Sequence, residues 1–203
     1  MSSVVNLTTL LESVELARRD KKYEEMCDHA EKLTLELDDS ILGRRLYSKL
    51  LYEIHMAAYQ QAMAAEGKER TMFWEESLQL AEQSAKEAVA ADDVLGKLLA
   101  EMNISGLLKK DAKMSARVCR EAETIAIAAS TTDEDRCRAW QVAMNTYFHR
   151  IRITMENKNL YMDPKENVAW LLYRVKDNPN FIAQKDEKWA REAVAEAEKF
   201  IQG

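Results

Sequence analysis

Arg136-Cys-Arg-Ala-Trp-Gln-Val-Ala-Met-Asn-Thr-Tyr-Phe-His-Arg-Ile-Arg152 is the stretch that decides the fold class. Wound as a helix at about 100° per residue, it separates into two faces. Trp140, Ala143, Met144, Tyr147 and Ile151 fall within one arc, and Arg138, Gln141, Asn145, His149 and Arg152 fall on the opposite side. One face asks for an apolar core. The other is basic and rich in amide.

The surrounding chain has the same character. Only five of the 203 residues are Gly and two are Pro, while Ala, Leu, Glu, Lys and Met abound, so tight turns and hairpins are infrequent and the composition is all-α. A hydrophobic share of 47% at this length supports a continuous core. Lys and Arg number 29 against 35 Asp and Glu, a balance that argues against a nucleic acid partner requiring many phosphate contacts. No apolar run approaches the roughly 18 residues of a membrane span, and the N-terminal residues have neither a basic start nor an apolar signal core. No membrane partner is expected. Cys27, Cys119 and Cys137 are odd in number and widely spaced, which predicts free, mostly buried thiols in a reducing, cytoplasmic setting.

About nine helices follow from periodicity and punctuation. Asn6 or Thr8 caps a first helix carrying Leu10, Val14 and Ala17, and charged residues 18–22 turn the chain into a second, with Met26, Ala30 and Leu33 on one side. Asp38-Asp39-Ser40 punctuates before a helix from Ile41 to about Ala65, and Gly67-Lys-Glu before one from about Thr71 to Ala91. The fifth runs from Val94 to about Leu108, where Gly96 and Gly106 mark close packing or an end. A sixth spans Ala112 to about Ala129. Ser130-Thr131-Thr132-Asp133 caps the helix quoted above, and residues 156–159 break its pattern. Asp163-Pro164 opens a short helix to about Lys176, Asn178-Pro179-Asn180 ends it, and Asp186 to Phe200 forms the last.

Trios of matching spacing recur in these helices: Met26, Ala30, Leu33; Ser77, Ala81, Ser84; Ser115, Cys119, Ala122; Ala190, Val194, Ala197. They describe an irregular repeat of helix pairs, each burying one face on the next. The spacing Ala139-Trp140-x-x-Ala143-Met144-Asn145-x-Tyr147 resembles the first helix of a tetratricopeptide repeat, and Tyr23-Glu-Glu-Met-x-x-x-Ala-x-x-Leu, ending in Glu36-Leu-Asp38, resembles the second. With weaker copies, the likeness covers about two thirds of the chain. It implies an antiparallel helix-hairpin array wound into a right-handed α-α superhelix. On this reading residues 1–203 form a single domain, with 1–152 as the array and 153–203 as helices that extend or cap it. Val14, Asn103 and Met144 stand where that family has a small residue, and its closing proline is missing at Asp39 and Asp93.

The chain is also similar to 14-3-3 proteins, antiparallel scaffolds of about nine helices. Leu16-Ala-Arg-Arg-Asp-Lys-Lys-Tyr23-Glu-Glu-Met26 is similar to their opening, and Ala122-x-x-Ile125-Ala126 followed by Ala143-Met144-Asn145 to the segment holding their peptide-binding asparagine. Their Arg-Tyr phosphate pair would fall near Ser105-Gly106, and their lysine helix is not legible around Leu50.

The tetratricopeptide likeness places Arg138, Gln141, Asn145 and His149 on a concave surface, joined by Arg18, Arg19 and Lys97. An amide can satisfy a peptide backbone while Arg forks a carboxylate, so this surface suits an acidic or C-terminal peptide. Leu11, Glu15, Ala100 and Ile104 occupy the positions of that family's carboxylate clamp. His29, His55 and His149 are far apart, with no His-Glu-x-x-His, and no glycine-rich phosphate loop or Gly-x-Ser-x-Gly occurs. Neither metal, cofactor nor catalysis is expected. The functional expectation is a non-enzymatic adaptor that takes a peptide or partner helix. Two alternatives stay open: a structural subunit docking through a flat patch near Trp170 and Trp189, and a 14-3-3-like phosphopeptide adaptor with a degenerate phosphate pocket. Homodimerisation through the first helices is also left open.

Overall fold

A computed structural model describes residues 2–157, 163–185 and 187–203. Among them the fold is all-α, with no strand and ten helices, nine of them seven residues or longer. They are α1 (Ser2–Arg19), α2 (Tyr23–Glu36), α3 (Ile41–Ala64), α4 (Gly67–Ala90), α5 (Val94–Asn103), a π-helical turn (Ile104–Leu108), α6 (Ala112–Ile127), α7 (Asp133–Glu156), α8 (Pro164–Lys176), α9 (Pro179–Gln184) and α10 (Lys188–Gln202). The chain divides into two compact units, Met1–Ala100 and Glu101–Gly203. Their boundary falls inside α5, and the sequence-based division at 152 falls inside α7. Residues 158 and 159 of the pattern break, and the expected start of the last helix at Asp186, lie outside the described residues.

The helix starts are set by side chains that satisfy otherwise unpaired amide donors. Ser40 accepts from Gly43 N at 3.0 Å, Asp111 from Lys113 N and Met114 N at 2.9 Å, and Thr132 from Asp135 N at 3.1 Å. Asp163 and Asn178 do the same for α8 and α9, each ahead of a proline in the first turn. Asn178-Pro179-Asn180 thus both ends α8 and starts a further short helix that periodicity could not show.

The turns after α1 and α4 share one device. Lys21 (φ 59°) and Asp92 (φ 53°) adopt the left-handed conformation, which lets Lys22 N reach Ala17 O at 2.9 Å and Asp93 N reach Ala88 O at 2.8 Å. This is the Schellman closure that glycine ordinarily provides.

In the first unit, α1 packs on α2 and α3, and α3 packs along α4. Val14, Ala17, Met26, Ala30, Leu33, Leu50 and Ala57 form one buried cluster. The α3–α4 seam is lined with small polar residues. Ser48 Oγ donates to Ser84 O and Ser84 Oγ to Ser48 O, both at 2.8 Å. Seven residues on along α3 and seven back along α4, His55 Nδ1 lies 3.0 Å from Ser77 O and 2.8 Å from Ser77 Oγ. The trio Ser77, Ala81, Ser84 is therefore a contact strip, where small side chains admit close approach and each buried hydroxyl finds a carbonyl.

His55 is fully buried, and burial pushes its pKa down to about 4. A neutral buried imidazole contributes stability that is present above its unfolded pKa of about 6.5 and is lost as pH falls from there toward about 4. Between pH 7 and pH 5 the wild type is expected to lose about 2 kcal/mol more than His55→Gln, compared by urea unfolding at both pH values.

In the second unit α7 is central, packed against α6, α8 and α9 and against the π-turn. Ala139, Val142, Ala143, Met144, Thr146, Tyr147, Ile151, Ile153 and Thr154 are buried along it, as the apolar arc predicted, with Trp140 half-buried at its edge. Ser115, Cys119 and Ala122 are buried on α6 and Ala190 and Ala197 on α10. The expectation of mostly buried thiols is corrected: Cys119 is buried, but Cys27 and Cys137 are exposed, Cys27 beside the buried row of α2 without joining it and Cys137 at the edge of α7, where its thiol meets Asn180.

Candidate functional site

One partly exposed strip runs along the middle turns of α7. Arg138 and Asn145 are half-buried, and Gln141 and Arg152 are exposed. The strip runs beside α9, which is held to α7 by Asn178 Nδ2 donating to Trp140 O at 3.3 Å and Asn180 Nδ2 to Cys137 O at 3.0 Å. Phe148 leans the same way, with its ring 6.4 Å from Phe181 and 5.5 Å from Trp189. The π-turn borders the other side through His149.

Three of the four expected α7 residues, Arg138, Gln141 and Asn145, therefore share one partly exposed row. Arg138 makes a 3.7 Å contact to Asp135, one turn back. Among the described residues the Asn145 amide has no hydrogen-bond partner, so its donor and acceptor are both open to a ligand or to water.

His149 occupies a different position. Its imidazole and Cβ sit over Gly106, where a Cβ would lie 2.3 Å from His149 Cγ. Burial lowers its pKa to about 4, so the ring is neutral at pH 7 and packs as an apolar wedge. The π-turn shapes this seat: Lys109 N bonds Ile104 O at 2.8 Å and Asp111 N bonds Ser105 O at 2.7 Å, a loop wider than an α-turn. Ser105 and Gly106, the positions matched to the phosphate pair of 14-3-3 proteins, are buried within it.

The cations expected to join the row lie in the first unit. Arg18 is largely buried and its guanidinium donates to Glu53 Oε2 on α3. Burial raises the Glu53 pKa in spite of this partner. Arg19 is exposed and pairs with Glu15, one turn earlier on α1. Lys97 is half-buried on α5. Arg18 is thus engaged in holding α1 to α3, and only Arg19 of that pair faces solvent.

Sequence reasoning missed a polar knot between α6, α7 and α8. Tyr147 Oη donates to Glu123 Oε1 at 2.9 Å, and Arg174 reaches the same carboxylate at 2.5 Å and Tyr147 Oη at 3.2 Å. Arg150 stacks over the rings of Tyr147 and Trp170, 5.9 and 5.8 Å from their centroids. Burial pushes the adjacent Cys119 thiol up to about 11, which keeps it protonated and poorly nucleophilic. Glu123, Tyr147 and Arg174 come from three helices whose relative register the sequence does not display. Beyond this knot, Trp170 is 49% exposed, Tyr173 64% and Trp189 45%, so each ring packs over only part of its surface.

Among the described residues no group of three or more His, Cys, Asp and Glu side chains could hold a metal ion, and no helix is long and apolar enough to cross a membrane. No family model, curated protein or solved structure matches the chain.

Proposed function

We propose that this protein is a non-enzymatic binding module that takes an acidic peptide or partner segment on the open strip of α7. The observation that carries the reading is the state of Asn145: a half-buried amide with no hydrogen-bond partner among the described residues, standing in one row with Arg138 and Gln141. An amide so placed can donate to and accept from a bound backbone, and Arg138 can exchange its long contact to Asp135 for a ligand carboxylate. Arg138 pairs only with Asp135 of its own helix and Asn145 makes no hydrogen bond among the described residues, so neither polar group ties α7 to a neighbouring helix.

Asn145→Ala and Arg138→Ala are expected to leave helicity and melting almost unchanged while each weakens capture of a partner from cell extract by about tenfold, the worth of one hydrogen bond to a charged or buried group. Loss of stability without a change in capture would sink the idea. Treating the extract with phosphatase separates the phosphopeptide alternative, because only that partner would be lost.

The exposed aromatic rings of Trp170, Tyr173 and Trp189 favour a second reading, a subunit that docks permanently through α8 and α10. Recovery of one complex in fixed proportion, insensitive to Asn145→Ala, would favour it.

A further inference from the structure

Arg138, Asn145 and Arg152 follow one another at seven-residue intervals along α7. At about 1.5 Å rise per residue the two arginines stand about 21 Å apart with Asn145 midway, and the row drifts by only about 40° round the helix. Arg152 is exposed, has no carboxylate partner among the described residues, and borders a cavity of about 1110 Å³ whose rim carries both signs of charge, Glu156, Asp163 and Glu196 with Lys165 and Lys199. The row thus has a cation at each end and an unpartnered amide at its centre.

An extended chain advances about 3.3 Å per residue, so 21 Å corresponds to about six residues. A helical ligand would need about fourteen residues for the same span, and its backbone, already paired internally, would offer Asn145 nothing. An extended chain presents free N–H and C=O groups to the central amide. Resting on the peptide-binding reading above, we infer that the α7 strip selects an extended acidic peptide with two carboxylates about six residues apart. Arg138 and Arg152 take the carboxylates, and Asn145 holds the backbone between them.

The test uses the full chain and fluorescein-labelled Gly/Ser/Thr peptides carrying two Glu residues about three, six or ten positions apart, read by anisotropy at low salt. The six-residue spacing is expected to bind about tenfold tighter than the others, since only it engages both guanidinium groups at once. Arg152→Glu should abolish that preference and bind instead a peptide in which one Glu is replaced by Lys. Equal affinity at every spacing, with Asn145→Ala still weakening all of them, overturns the spacing inference and leaves the binding reading standing. No binding of any peptide to the wild type overturns both.

Discussion

Arg18→Met is expected to cost the protein about 3 kcal/mol at pH 7, the lower end of what removing one partner of a buried ion pair costs. The side chains of Arg18 and Glu53 are 12% and 11% exposed, so neither can recover its hydration by a small movement. Burial already holds the Glu53 pKa above the usual carboxylate range with Arg18 in place, and without the guanidinium it rises further. The sign of the pH dependence follows. A carboxyl whose folded pKa exceeds its unfolded one binds more protons folded, so its contribution is most favourable at low pH and is lost as pH rises through the folded value. The deficit of Arg18→Met relative to wild type should therefore shrink between pH 7 and pH 5 in urea unfolding. Adding Glu53→Gln to Arg18→Met removes the stranded charge and should recover most of the loss at pH 7. A deficit of under about 0.5 kcal/mol, or one constant with pH, would show that the pair is solvated and worth no more than a surface contact.

The same pair shows where sequence reading stopped. Periodicity placed Val14 and Ala17 of α1 toward the core, and both are buried. Arg18, one position on, sits at the margin of that face, where a cation is as readily solvated as paired. Glu53 lies thirty-five residues away on α3, and nothing local announces the match. The α7 helix was legible for the opposite reason: its buried arc and polar strip are both properties of one continuous segment, which the 3.6-residue repeat displays directly. His149 marks the limit of that logic. It lies on the polar side of the wheel, yet it is drawn under the π-turn because Gly106, forty-three residues earlier, leaves room for it. The turn after α1 is legible from the charged residues 18–22, although neither Lys21 nor Asp92 in the turn after α4 gives any hint of the left-handed backbone it adopts. There the closure is imposed by the helices on either side, since sequence rules expect Gly or Asn at such a position.

Gly106→Ala is expected to destabilise the second unit by about 2 to 3 kcal/mol, the upper range for overpacking a well-filled interior. The added methyl would meet His149 Cγ at 2.3 Å, Cδ2 at 2.5 Å and Cβ at 2.6 Å. Rotating the imidazole relieves the first two contacts and leaves the third, because Cβ does not move with χ1. The π-turn or α7 must then shift as a whole. Truncation separates these contributions: His149→Ala combined with Gly106→Ala should recover only the part due to the ring, while His149→Gly should recover the Cβ contact as well, less about 1 kcal/mol for glycine inside a helix. The two contacts predict an ordering, with Gly106→Ala least stable, the His149→Ala combination intermediate and the His149→Gly combination at or above it once the helix cost is counted. Thermal melts of the four proteins would check it. Full recovery by His149→Ala alone would mean that α7 already yields at this point, and then the strip carrying Arg138, Asn145 and Arg152 could not keep the fixed spacing that the proposed peptide register requires.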